Sequence, residues 1–241
     1  MAVYLITGVS SGIGRELARQ AVGRGHEVFG LARRAELLES LKTELGEHFT
    51  PYVCDVTDKE RVRTVCGELP KLPNIVILNA GVGDFDSRHR VDAAIHERSF
   101  AVNYFGALYV IEALFPGFAK RGSGRFVAVS SLAGYRGLAR AAAYDASKAA
   151  LTTAMESMRL TYARKGIGFT VVMPGFVDTA MTQGQKNMAF LYTAEKAART
   201  MLNGIERKKH NIIFPWPMRL LIAMVRLFPA SLHYRLFRLK S

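Results

Sequence analysis

A doubly wound α/β fold, with a parallel sheet of about seven strands covered by helices on both faces, is predicted by three features of this sequence. Short apolar, β-branched runs alternate with longer segments of helical periodicity. A glycine-rich stretch joins the first strand to the first helix. Residues able to bind and react, namely Thr7, Arg33, Asp55, Asn79, Ser131 and Pro174, recur at the carboxyl ends of the strands, where open sheets of this class hold their ligands. A chain of 241 residues can bury an ample core in one domain, expected at 1–215, with a basic amphipathic C-terminal extension at 216–241.

Residues 2–7 read as a buried strand and 12–24 as a helix, with Ile13, Leu17 and Ala21 on one face. Between them runs Thr7, Gly8, Val9, Ser10, Ser11, Gly12, Ile13, Gly14. Glycine permits a tight turn and close backbone approach, and the helix start offers unpaired N–H groups and a positive dipole end to an anion such as a pyrophosphate. A plain strand-to-helix turn would also favour glycine, and the spacing departs from the generic G-x-G-x-x-G fingerprint. A strand at 26–32, a helix at 35–45 and a strand at 49–54 complete a βαβ unit. The end of its second strand faces the adenosine ribose in a dinucleotide fold, where a carboxylate suits NAD and an arginine suits the 2′-phosphate of NADP. Ala32, Arg33 and Arg34 stand there, and the arginine fork matches phosphate oxygens, so NADP is favoured.

The alternation continues with a strand at 74–78, mostly helix at 92–121, a strand at 124–130, a helix at 141–165 and a strand at 167–173. A helix at 193–207 and a last strand at 211–214 follow. Hydrophobic residues at 49% and charged residues at 22% exclude disorder and fibrous classes. Cys54 and Cys66 have neither zinc-ligand spacing nor a disulfide framework, so no metal is expected and a reducing, cytoplasmic setting is. The apolar start at 2–6 lacks a leader's features and reads as a strand rather than a signal, and no run reaches the roughly 18 uninterrupted apolar residues of a spanning helix.

Within the helix at 141–165, Tyr144 and Lys148 are four positions apart and share a face. A phenol ionises near pH ~10, and a nearby ammonium favours the phenolate, roughly 1.4 kcal/mol of attraction making it tenfold more acidic. The pair is therefore expected to make Tyr144 acidic enough to exchange a proton near neutral pH.

Together these motifs resemble the short-chain dehydrogenase/reductase family. The shared elements are Thr-Gly-x-x-x-Gly-x-Gly at 7–14, Asp55 with Val56, Asn79-Ala80-Gly81, the set Asn103, Ser131, Tyr144 and Lys148, and Pro174-Gly175 followed by Val177 and Thr179, in order over about residues 3–215. The resemblance implies a Rossmann-type fold, a homo-oligomer (dimer or tetramer) and an NADP(H)-dependent oxidoreductase acting on CH–OH groups. It implies that Tyr144 is the general acid/base, that Ser131 polarises the substrate carbonyl, and that Lys148 keeps Tyr144 acidic and binds the nicotinamide ribose. Asn103 would hold a water that links Lys148 to solvent. Ser130 rivals Ser131, and the 13-residue spacing to Tyr144 favours Ser131. For the cofactor, backbone groups around Ser10, Ser11, Gly12 and Ile13 would hold the pyrophosphate, with Gly8 and Gly14 of the same turn also at the cofactor, and Arg33 would hold the 2′-phosphate with help from Ser10 and Arg34. Asp55 and Val56 would flank adenine, Asn79, Ala80 and Gly81 the adenosine side, and Pro174, Gly175, Val177 and Thr179 the carboxamide end.

Met181, Met188, Phe190 and Leu191 fall in the family's substrate loop, and Leu132, Tyr135 and Leu138 follow the serine. Their apolar character suggests a hydrophobic ketone, aldehyde or secondary alcohol, hence a carbonyl reductase; Lys186 and Arg136 are the only obvious anion receptors. A protein of the same fold can instead keep the nucleotide site and serve as a catalytically silent NADP-binding sensor or scaffold. Of the net charge of +13, +7 lies in residues 204–241, where eight Lys or Arg face one acid, Glu206. Leu220, Leu221, Met224, Leu227 and Phe228, then Leu232, Leu236 and Leu239, repeat at helical spacing. Such a segment suits packing on the body, a subunit contact or peripheral membrane binding. Nucleic acid is not expected, because no stacking platform accompanies the charge.

Overall fold

A computed structural model describes residues 1–84, 91–183 and 188–237. In chain order the elements are β1 (Val3–Thr7), α1 (Gly12–Gly23), β2 (Glu27–Ala32), α2 (Ala35–Leu45), β3 (Phe49–Val53), α3 (Lys59–Gly67), β4 (Ile75–Leu78), α4 (Ala93–Phe100) and α5 (Gly106–Arg121). They continue with β5 (Gly124–Val129), α6 (Ala142–Thr161), β6 (Ile167–Pro174), β7 (Val177–Asp178), β8 (Tyr192–Thr193), α7 (Ala194–Glu206), β9 (Asn211–Phe214), α8 (Trp216–Leu227) and α9 (Ala230–Phe237). Seven strands form one sheet in the order β3-β2-β1-β4-β5-β6-β9, every pairing parallel. The strand order reverses direction between β1 and β4, and open sheets bind ligands outside the strand ends at such a point.

The continuous apolar run of β1 follows from having helices on both faces. Val3 and Leu5 join one core with residues of α3, α5 and α6, while Tyr4 and Ile6 join the other with α1, α2 and α7. Side chains alternate across a strand, so a strand covered on both sides must be apolar at every position. Each fully buried Leu, Ile or Phe contributes about 1.5–3 kcal/mol.

Helix 93–121 is long and apolar enough to cross a membrane by length and composition alone. In this fold it lies on the sheet, with Val110, Ile111, Leu114 and Phe118 in the core. A π turn at Ala101–Phe105 interrupts it, bringing Asn103 to the side facing α6. Helix α3 was not expected from the sequence. It buries only Val62 and Val65, a weak periodic signal, and starts where the Asp58 carboxylate accepts the Arg61 N–H at 2.9 Å. The helix expected through 165 ends at Thr161 and is followed by a 3-10 turn, Ala163–Lys165. Lys186 and Leu239 lie outside the described residues.

Candidate active site

The carboxyl ends of β1, β2, β4, β5 and β6 open onto a cleft of ≈ 280 Å³. At its base, Gly8 and Gly12 adopt φ of +74° and +55°, a region other residues rarely enter. Ser11 precedes α1 without a side-chain cap, and no acidic residue stands in the first turn, so the first N–H groups of α1 remain available to an anion. Gly14, expected among the cofactor-binding residues, does not line the cleft. Its place is structural: a Cβ there would sit 2.1 Å from the Gly8 carbonyl oxygen.

Thr7 ties this turn to the next strand. Its buried Oγ1 accepts the N–H groups of Asn79 and Ala80 at 3.0 Å each, while Asn79 Nδ2 donates to the carbonyls of Thr7 (3.0 Å) and Gly8 (3.3 Å). The Asn79 amide therefore fixes the glycine turn. Asn79, Ala80 and Gly81 nonetheless line the cleft, as do Ser10, Ser11, Gly12 and Ile13.

Beyond β2, Arg34 Nη2 donates to the hydroxyls of Ser10 (2.7 Å) and Ser11 (2.8 Å), making a cationic lip over the glycine turn. Arg33, also exposed, lies 3.6 Å from Asp55. Burial works against ionisation of Asp55, but the Thr57 N–H and hydroxyl, with Arg33, hold its carboxyl below the usual range. Arg34 is thus the better-fixed of the two arginines, a ranking the sequence could not supply. Val56 both lines the cleft and packs where Gly106 leaves room for it.

Ser131, Tyr144 and Lys148 come together on the other side of the cleft. The Ser131 side chain acts on the Tyr144 phenol in the direction that favours its ionised form, and Lys148 Nζ lies 5.8 Å from the Tyr144 ring centroid. Ser131 also accepts the Ala133 N–H at 3.1 Å, capping its own turn. Its rival Ser130 is committed elsewhere, donating to the Lys148 carbonyl at 2.9 Å and bonding the Thr152 hydroxyl at 2.7 Å.

The expected acidity of Tyr144 is corrected here. Burial pushes the phenol's pKa up, the Ser131 side chain only opposes this, and the neighbouring Asp145 charge raises it further. Lys148 Nζ donates to the Val129 carbonyl at 2.8 Å, and burial lowers its pKa to about 8. The spacing put both groups on one face, but the ammonium is directed to the strand and the phenol keeps its proton at neutral pH.

Asn103 lies behind the cleft wall, on the far side of Gly81 from Lys148. Its Oδ1 accepts the Val82 N–H at 2.8 Å, and Nδ2 donates to the Val82 carbonyl (3.0 Å) and the Ser147 hydroxyl (2.9 Å). Ser147 in turn donates to the Tyr144 carbonyl at 2.8 Å. The amide thus links the loop after β4 to the helical turn carrying Tyr144. Gly81 sits between Asn103 and Lys148, where a Cβ would lie 3.1 and 3.3 Å from them.

Pro174, Gly175, Val177, Thr179 and Met181 form the remaining wall. Met181 reaches across to Gly83, where a Cβ would be 2.9 Å from its Cγ. Val82, Val102, Ala180 and Thr182 also line the cleft and were missed, because small or β-branched residues carry no chemical signature in sequence. Leu132 and Tyr135 pack into the core rather than lining the cleft, and Leu138, Phe190 and Leu191 are exposed. Arg136 Nη1 donates to the Phe228 carbonyl at 2.6 Å, tethering the C-terminal helices.

Comparison with known proteins matches residues 2–203 to the short chain dehydrogenase family model. An uncharacterized oxidoreductase of Myxococcus xanthus is 37% identical over 236 residues, covering 95% of this chain and 93% of its own length. An NADP-dependent 3-hydroxy acid dehydrogenase of Salmonella typhi is 28% identical, covering 83% of this chain and 82% of its own. Among solved structures, a short chain dehydrogenase from Burkholderia cenocepacia in complex with NADP superposes with a TM-score of 0.88 over 99% of this chain and 98% of the other, at 24% identity.

Proposed function

The chain belongs to the short-chain dehydrogenase family, and from that premise we propose that it is an NADP(H)-dependent carbonyl reductase, interconverting a hydrophobic ketone or aldehyde and its alcohol. The observation that carries this reading is the convergence of Ser131, Tyr144 and Lys148 in the cleft that also holds the uncapped start of α1. The cleft's residues suit a dinucleotide phosphate. Glycines at 8 and 12 leave the turn without side chains, α1 offers N–H groups, and Arg33 and Arg34 supply positive charge at the end of β2. The arginines favour a 2′-phosphate, hence NADP(H), as the Salmonella and Burkholderia proteins also suggest.

When bound, the reduced nicotinamide supplies a hydride. Ser131 and Tyr144 would hold the substrate oxygen as negative charge grows on it, with Tyr144 Oη giving up its proton to that oxygen. A phenol whose pKa is raised by burial bears that proton at neutral pH, which suits the reductive direction. Lys148, still mostly charged at pH 7 with a pKa of about 8, stabilises the phenolate left behind. Asn103 acts as a positioning residue through Val82 and Ser147. Met181, Val102 and Ala180 give the substrate side its apolar character.

The test is Tyr144→Phe, followed by NADPH titration and by NADPH oxidation across ketones of graded chain length. Turnover is expected to fall by about 10²–10⁴ while cofactor affinity holds within severalfold. Tight NADPH binding without turnover in both proteins would identify a silent sensor, and equal affinity for NADH would remove the NADP assignment.

A further inference from the structure

The surface formed by α8 and α9 carries a feature that the cleft chemistry does not use. Trp216, Leu220, Met224 and Leu227 are 71%, 57%, 54% and 84% exposed. On a helix of 3.6 residues per turn these four positions fall within about 80° of one another. Met218, on the other side of α8, packs against the core. The helix is therefore seated by one face and leaves an apolar stripe outward. Exposed Arg219 falls beside that stripe, and α9, which follows, also leaves Leu232 and Leu236 exposed, about 40° apart on its own surface, next to exposed Arg235.

The charges that α8, α9 and the adjoining stretch 132–143 supply all have one sign. No Asp or Glu follows Glu206, and none occurs between Ser131 and Tyr144. Those two stretches are joined in space, because Arg136 bonds the Phe228 carbonyl and α8 packs against the turn Leu132–Tyr135. Exposed Leu138 and Arg140 belong to the same loop. The basic run Arg207–Lys209 precedes β9 and so lies at the opposite end of the sheet from α8, outside this surface. Exposed tryptophan and leucine flanked by arginine, with no carboxylate in the two stretches that supply them, match a bilayer interface in which acyl chains take the apolar stripe and anionic headgroups the guanidinium groups.

We propose that α8 and α9 dock the protein on an anionic lipid bilayer. The docked face adjoins the cleft: Ser131 immediately precedes the turn that α8 contacts, and a Cβ on the cleft-lining Gly175 would lie 3.0 Å from Pro215, the residue before α8. Docking therefore sets the substrate side of the cleft near the membrane surface, where an apolar carbonyl compound would be concentrated. That last step rests on the carbonyl-reductase reading, whereas docking itself does not.

The experiment is cosedimentation of the full chain with vesicles of phosphatidylcholine alone and with 30% phosphatidylglycerol, at low and high salt, beside the variant Leu220→Glu/Met224→Glu/Leu227→Glu. Wild type is expected to pellet with the anionic vesicles at least tenfold more than with neutral ones, and to be released by salt. The triple variant, whose changes are all at exposed positions, should remain in the supernatant with an unchanged far-UV circular dichroism spectrum and melting temperature. Arg219→Ala should lower partitioning about fivefold. Absence of pelleting with anionic vesicles, or pelleting indifferent to lipid charge and to the triple substitution, would overturn the proposal. So would a triple variant that converts a dimer to a monomer on gel filtration, because the stripe would then belong to a second copy of the chain. Neither readout uses turnover, so failure to reduce any carbonyl would leave the docking result standing, and the converse.

Discussion

The two sides of the cleft are built differently. The side formed by the ends of β1, β2 and β4 is held by short, mutually satisfied bonds: Thr7 to Asn79 and Ala80, Asn79 back to Thr7 and Gly8, Arg34 to Ser10 and Ser11. The side after β6 is walled by Met181 and neighbours on a loop, with exposed Phe190 and Leu191 beyond it. A pyrophosphate is recognised by fixed backbone N–H groups, which demands a rigid turn. An apolar substrate is recognised by contact area, which adaptable side chains such as methionine supply without fixed geometry. The contrast predicts intolerance to substitution on one side and tolerance on the other.

The largest effect is expected from Gly14→Ala, because the new methyl would meet the Gly8 carbonyl oxygen at 2.1 Å. Thermal denaturation should show a loss of about 3 kcal/mol, roughly 6–12 °C for a domain of this size, together with weaker NADPH binding. Gly23, in the last turn of the same helix, has nothing within 4 Å of where a Cβ would sit, so Gly23→Ala should be neutral or slightly stabilising. Equal effects of the two alanines would break the claim of rigidity.

Lys148 stands between the two sides, and its burial gives a pH-dependent signature. Its pKa falls from 10.5 to about 8 on folding, so between those values the unfolded chain binds the proton more readily. Native stability therefore rises with pH across that window, and the cost of burying the charge is complete below pH 8. Lys148→Met lacks this contribution. Wild type should gain about 3 kcal/mol relative to the variant between pH 8 and 10.5, measured by urea denaturation, while the variant's turnover collapses. A pH-independent difference would show that the ammonium stays solvated.

The smallest effect is expected from Met181→Ala. Stability should change by less than about 1 kcal/mol, and KM for bulky ketones should rise severalfold with kcat little altered, as for lost uniform binding. A large fall in kcat would mean that the substrate wall is as tightly specified as the cofactor wall.

What the sequence alone determined is whatever rests on neighbours along the chain. The apolar run of β1, the glycine turn and the placement of Tyr144 and Lys148 on one face of α6 all follow from strand or helix period and from glycine's conformational range. The sheet order and the clustering of Ser131, Tyr144 and Lys148 agree with that reading. Helix α3 escaped it because two buried valines make too weak a pattern. Tertiary structure alone decided how each polar group is used. Ser130 rather than Ser131 is spent on α6, Asn103 clamps Val82 and Ser147, and Tyr144 holds its proton more tightly than its lysine neighbour implied. The physical reason is that desolvation and hydrogen-bond partners come from elements far apart in the chain: Val129 takes the Lys148 ammonium, and burial, which no local spacing encodes, sets the proton affinity of both groups.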